Sequence, residues 1–158
     1  MRLIFLRHAV ATDRADWHGT DEERPLTRAG ARKLTRVLKA TRPLARGAEE
    51  ILTSPWLRAR ATAEIASEIW GLPLREAGWL AGGVANPREA LEHVRLLGDV
   101  VLVGHEPDLG ELAGFLIGVG ALTLKKSGIA ILRGEPGEGT MRLQALLTPK
   151  TVAALTGM

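Results

Sequence analysis

Apolar residues fall along the chain in short unbroken runs separated by helix-like stripes. Residues 2–6, with the run Leu3-Ile4-Phe5-Leu6, are too short for a helix and predict a strand buried on both faces. From Arg28, the residues Leu34, Val37, Leu38 and Thr41 follow the i, i+3, i+4, i+7 spacing, while Arg28, Arg32, Arg36 and Lys39 fall mostly off that stripe. This predicts an amphipathic helix capped by Thr27 and ending before Pro43. Residues 50–53 read as the next strand, and Ser54-Pro55 as the N-cap and N1 proline of a helix running to about Trp70. A short strand is placed near Leu72–Leu74. Asn86-Pro87-Arg88-Glu89 predicts a capped helix through about Leu96, and Asp99–Val103 a further buried strand. A helix from about Asp108 to Ile117 follows. Ile129–Arg133 and Met141–Leu147 flank a Gly/Pro-rich turn and read as a hairpin, with a terminal helix after Pro149.

Strands alternating with helices predict an α/β fold, a three-layer α/β/α sandwich with a mainly parallel sheet and antiparallel pairing late in the chain. No linker or internal repeat interrupts residues 1–158, which are expected to form one domain, as 158 residues usually do. Residues 8–26 show no periodicity and predict a long loop, a feature often tied to function in compact domains.

Composition narrows the chemistry. Apolar residues make up 46% and charged residues 25%, ordinary for a globular protein and unlike disordered or collagenous chains. The absence of Cys excludes disulfides, thiolate metal sites and a cysteine nucleophile. With no targeting segment and no membrane-spanning run in view, the expected location is the cytoplasm. Residues 1–75 hold 14 basic and 9 acidic groups, and residues 76–158 hold 7 and 9, so the positive field lies in the first half. The basic stretch Arg28–Arg46 raises nucleic-acid binding as a possibility, but it lacks stacking aromatics and a groove-reading motif.

Ligands of open α/β sheets bind beyond the carboxyl ends of the strands. Here the first strand ends in Arg7-His8, the second runs into Ser54-Pro55 with Arg58 one turn along the helix, and a later one ends in Gly104-His105. If those strands are neighbours, two guanidinium groups and two imidazoles converge. Arg forks hold phosphate oxygens with bidentate, permanently charged contacts. An unprotonated imidazole can attack phosphorus, and a second one, when protonated, can donate to the oxygens. Taken singly, each residue has an ordinary reading: Ser54-Pro55 as a cap, Arg58 as a solvated helix residue, His105 as a structural histidine. His18 and His93 read as loop and helix-surface residues without a role.

In combination, the chain resembles the histidine phosphatase superfamily, with its phosphoglycerate mutase-like fold. The matching pieces are Leu6-Arg7-His8-Ala9, Arg24-Pro25-Leu26-Thr27 with Gly30, Ser54-Pro55-Trp56-Leu57-Arg58-Ala59 with Thr62-Ala63, and Gly104-His105-Glu106-Pro107. Short length, the RPLT segment and the GHEP turn look most like SixA-type phosphohistidine phosphatases. The resemblance implies that His8 is the nucleophile that becomes phosphorylated, that Arg7 and Arg58 bind phosphate, and that His105 completes the pocket. It implies no metal or other cofactor. The implied partner is a phosphorylated protein, such as a histidine phosphotransfer domain, with a small phosphorylated molecule as the alternative. A phosphate-binding module without catalysis is a third reading, opposed by the intact His8 and Arg58.

Two departures stand out. The usual Arg-His-Gly is Arg7-His8-Ala9, and the segment Ala77–Gly83, where many relatives carry a general-acid Glu, has no carboxylate. Glu106 and, in the loop, Asp13 are candidate acids, although Glu106 beside a helix N-terminus is also explained by the helix dipole. Arg14, Arg24 and Arg60 are candidates for steering an acidic partner to the rim.

Overall fold

The structure is a computed structural model that describes residues 1–83 and 86–158. Six strands, β1 (Arg2–Arg7), β2 (Glu50–Thr53), β3 (Leu74–Glu76), β4 (Val100–Gly104), β5 (Ile129–Arg133) and β6 (Arg142–Leu147), form one sheet in the order β3-β2-β4-β1-β5-β6. β1, β2, β3 and β4 are parallel, and β5 and β6 add antiparallel strands on the β1 side. The described helices are α1 (Arg28–Ala40), α2 (Leu57–Trp70), α3 (Pro87–Val94), α4 (Asp108–Ile117) and α5 (Pro149–Thr156). No described helix is long and apolar enough to cross a membrane.

Alternate residues of the buried strands face opposite layers, which is why their sequences are continuously apolar. Leu3 and Phe5 of β1 with Leu102 of β4 pack under α3 and α4, whereas Ile4, Leu6, Val101 and Val103 pack under α1, α2 and α5. This is the expected three-layer sandwich. Chain direction explains the division: α1 and α2 serve strands added toward β3, and the return from β3 to β4 reverses direction. A right-handed crossover then has to use the other face. The segments leaving β1 and β4 therefore diverge to opposite sides of the sheet, opening a crevice between two adjacent strand ends.

Local signals explain most boundaries. Thr27 Oγ1 accepts the Gly30 amide at 2.9 Å, and Asn86 Oδ1 accepts the amides of Arg88 and Glu89 at 3.0 Å. The helix predicted to reach Leu96 ends at Val94. Ser54-Pro55 is a clearer correction. α2 begins at Leu57 with Trp56 as its N-cap, so Arg58 sits in the first turn rather than one turn along. Ser54 instead closes β2, its hydroxyl accepting the Trp56 amide at 3.2 Å while also bonding a histidine across the sheet.

Gly30 marks where α1 meets the loop after β1. A Cβ there would lie 2.4 Å from the Val10 carbonyl oxygen, which itself accepts the Thr27 amide at 3.0 Å. Backbone cannot yield as a flexible side chain can, so Gly30→Ala is expected to destabilise the protein by about 1–3 kcal/mol, an overpacking cost. Urea unfolding of the two proteins measures it, and an unchanged midpoint would show that α1 can shift freely.

Candidate active site

Parallel pairing brings Arg7 opposite Gly104 and Thr53 opposite Val103, so β1, β4 and β2 end at one edge. The turn after β1 is firmly tied. The His8 amide donates to the Gly104 carbonyl (3.1 Å), and the Ser127 amide reaches the carbonyls of Arg7 and His8 (3.2 and 3.3 Å). Ser127 does so from the left-handed region, at φ 60°. The Ala9 amide donates to Thr62 Oγ1 (3.0 Å), whose own hydroxyl donates to the Arg58 carbonyl (2.7 Å). Ala9 is fully buried and does not have a positive φ, so glycine's conformational freedom is not needed at this position.

His8, Arg58 and His105 come together as buried side chains, with Arg7 half-buried beside them. His8 Nδ1 lies 2.7 Å from the Ala9 carbonyl, which can only accept. Nδ1 therefore carries the proton and Nε2 keeps the lone pair, toward which Arg58 Nε–H is directed at 3.3 Å. The His8 and His105 rings are 5.3 Å apart, and His105 also packs 4.9 Å from the Trp56 ring. His105 Nε2 is 2.8 Å from Ser54 Oγ, whose proton can point to it, leaving Nδ1 as the nitrogen that bears hydrogen. Arg7 donates through Nη1 to the Leu124 carbonyl at 2.8 Å. Among the described residues, Arg7 Nε and His105 Nδ1 are buried and have no hydrogen-bond partner.

Asp21 had no role in the sequence reading, yet it organises the cationic side of the site. Its carboxylate meets Arg58 (3.2 Å), Arg24 (2.9 Å) and Arg14 (3.5 Å), and its carbonyl accepts Arg58 Nη1 at 2.6 Å. Arg24 also donates to the Thr12 carbonyl (2.8 Å), fastening the long loop on itself. Four carboxylates, Asp16, Asp21, Glu22 and Glu23, lie between the loop arginines Arg14 and Arg24, and nothing in their spacing singles out Asp21. Ser54, Thr62 and Trp56 were noticed only as motif or cap residues.

Burial controls the charge state. It pushes His8 down to about 3, helped by the charges of His105, Arg58 and Arg7 and opposed by the Ala9 hydrogen bond. His105 is lowered to about 4, first by burial and then by Arg58. The second imidazole, which can donate to the oxygens when protonated, is thus neutral in the free site, because charging it would add a cation beside two arginines in a desolvated space. Burial also lowers Arg7 and Arg58. For Asp21, burial acts upward, but the Arg24 hydrogen bond and the nearby guanidinium charges outweigh it and hold the carboxyl below its usual range.

The remaining candidates are otherwise employed. Glu106 Oε1 accepts the Gly110 amide at 2.9 Å in the first turn of α4, as the dipole argument expects, although burial raises its carboxyl. Asp13 is exposed and caps a one-turn helix at Arg14–Asp16. Arg14 and Arg24 are engaged by Asp21, and Arg60 by Glu64 and Glu76, so none of the three is a free steering charge. His18 is exposed, and His93 stacks on Trp79 at 5.2 Å. The segment Ala77–Gly83 brings no carboxylate; its Gly83 amide instead donates to Asp108 Oδ2 at 2.7 Å. Among the described residues, no group of three or more His, Asp or Glu is arranged to hold a metal ion.

Comparison with known proteins bears on the family and the fold. The model of the histidine phosphatase superfamily (branch 1) matches residues 3–81, half of the chain. An uncharacterized protein of Picosynechococcus sp. strain PCC 7002 is 43% identical, the match covering 92% of this chain and 90% of that one. In fold, the chain is similar to the protein histidine phosphatase SixA complexed with tungstate (TM-score 0.85, 21% identity, 96% of this chain and 99% of that one). It is also similar to mycobacterial glucosyl-3-phosphoglycerate phosphatase (TM-score 0.72, 18% identity, 91% and 97%).

The neutral rings make stability depend on pH. Unfolded, both histidines take up a proton near 6.5; folded, they resist until about 3 and 4. Their contribution is complete above 6.5 and is lost as pH falls from 6.5 to about 4 for His105 and about 3 for His8, with a slope of up to ~1.4 kcal/mol per pH unit for each ring. Urea midpoints are expected to drop on acidification through this window, and less steeply in His105→Gln. Equal slopes in the two proteins would show that His105 titrates normally.

Proposed function

This chain belongs to the histidine phosphatase superfamily and is a phosphatase of that family, and we propose that it removes the phosphoryl group of phosphohistidine on a protein by way of a phosphorylated His8. One observation carries the reading: a lone-pair nitrogen, His8 Nε2, shares a buried cluster with Arg7 Nε and His105 Nδ1, two polar atoms lacking any partner among the described residues. An unmet buried polar group costs about 1–3 kcal/mol. A tetrahedral oxyanion meets both and suits the surrounding positive charge.

His8 Nε2 attacks phosphorus in line, the bond to the leaving group breaks, and Arg7, Arg58 and His105 hold the transferring oxygens. Arg58 Nε–H, aimed at the His8 lone pair in the free site, passes to a phosphoryl oxygen. As the ring gains positive charge, its Nδ1–H bond to the Ala9 carbonyl strengthens. Water then attacks phosphorus, returning the electron pair to Nε2 and releasing inorganic phosphate. Positioning and electrostatics supply most of this catalysis.

Leaving-group chemistry supports phosphohistidine. An alkoxide is a strong base and gains roughly 10²–10⁴-fold from a proton donor, yet Ala77–Gly83 has no carboxylate. Phosphohistidine exchanges one P–N bond for another, and its imidazole, protonated at the distal nitrogen, leaves neutral. The fold similarity to SixA points the same way. A second reading, hydrolysis of a small phosphate ester, draws on the raised carboxyl of Glu106 and on the similarity to a glucosyl-3-phosphoglycerate phosphatase.

His8→Ala is expected to abolish turnover, and Arg58→Ala to cost on the order of 10²–10³ in rate, as for loss of one preorganised donor. Rapid quench with labelled phosphodonor should trap acid-labile, base-stable label on His8; normal activity of His8→Ala would overturn the covalent route. Against a phosphorylated histidine phosphotransfer domain and an alkyl phosphate, the protein should favour the former, with Glu106→Gln leaving that preference unchanged. Preference for the ester, lost in Glu106→Gln, would transfer the reading to small esters.

A further inference from the structure

Positive charge is abundant near the site, but most of it is neutralised within the protein. The arginines of the loop after β1 converge on Asp21, and Arg60 pairs with Glu64 and Glu76. The lysines behave differently. The chain has five, and four of them, Lys33 on α1, Lys125 and Lys126 before β5, and Lys150 on α5, line a single groove of about 540 Å³. All four are exposed, and none forms an ion pair with a described residue. Arg7 lines the same groove, which therefore leads up to the residue adjoining His8.

We propose that this lysine groove docks acidic residues flanking the phosphohistidine of a protein substrate, and so selects phosphoproteins over small phosphorylated molecules. The proposal rests on the phosphohistidine reading above. A small ligand calls for an enclosed pocket with a few fixed polar groups. Here four exposed point charges on flexible stems are spread over three segments, an arrangement that matches an extended acidic surface through charge complementarity and long-range steering. Nucleic acid, the other extended polyanion, fits poorly, because among the described residues no aromatic side chain lines the groove for bases to stack on.

The test compares the wild-type chain with the triple variant Lys33→Gln, Lys126→Gln, Lys150→Gln on two substrates: a phosphorylated histidine phosphotransfer domain with an acidic surface, and free phosphohistidine. The variant is expected to lose about tenfold in kcat/KM on the phosphoprotein, chiefly through KM, as for loss of electrostatic steering, while free phosphohistidine is turned over as by wild type. Added salt should erase the difference between the two proteins. Normal turnover of free phosphohistidine, with variant and wild type equal on the phosphoprotein at low salt, would overturn the docking surface alone. Equal losses on both substrates would also overturn it, since the lysines would then serve the reaction centre. Failure of the wild-type chain to turn over either substrate would instead sink the phosphohistidine reading, and the docking surface with it. If a random-sequence DNA duplex binds the wild type but not the variant, and phosphoprotein kinetics are the same for both, the groove belongs to nucleic acid.

Discussion

Parallel pairing of β4 between β1 and β2 is the constraint on which the site depends. It sets three carboxyl ends at one edge of the sheet, with Arg7 opposite Gly104 and Thr53 opposite Val103. Each strand needs to contribute only one or two polar residues beyond its last apolar one. The reversal of chain direction between β3 and β4 then sends the following segments to opposite faces, so the strand ends are left as a crevice instead of being covered. Rigid apolar strands thereby hold histidines about a hundred residues apart in the chain with their rings 5.3 Å from each other.

Burial in this crevice does two things at once. It keeps the histidines neutral, which a nucleophilic nitrogen requires, and it leaves arginines whose charge cannot be removed and must be compensated. Asp21 supplies the compensation from the loop after β1, gripping Arg58 with both its carboxylate and its carbonyl. The long loop therefore has a structural reason to be ordered. The groove lysines, by contrast, lie exposed without carboxylate partners among the described residues, and their charge is directed at the surroundings.

Much of this was legible in advance because it is local. Leu3–Leu6 announces a doubly buried strand, Thr27 and Asn86 cap the helices they were expected to cap, and Asp108–Ile117 is found with its expected boundaries. Ser54-Pro55 misled for a physical reason. A serine before a proline is a good helix start by local preference, but the Ser54 amide continues the β2–β4 ladder to the Val103 carbonyl at 2.9 Å and Ser54 Oγ meets His105 just beyond β4, contacts that no local pattern shows. The charge state of His105 is likewise set by its burial and by Arg58, which its neighbours in the sequence do not reveal.

Residue order alone dictates the alternation of strand and helix, the type and spacing of the arginines and histidines, and the lack of a carboxylate in Ala77–Gly83, since these depend on near neighbours or on composition. The folded chain was needed to pair Asp21 with three arginines, to leave Arg7 Nε and His105 Nδ1 without partners among the described residues, and to gather four lysines from three distant segments into one groove. Those outcomes depend on distances between residues far apart in the chain. Electrostatic compensation and desolvation are set by such distances, and no local pattern encodes them.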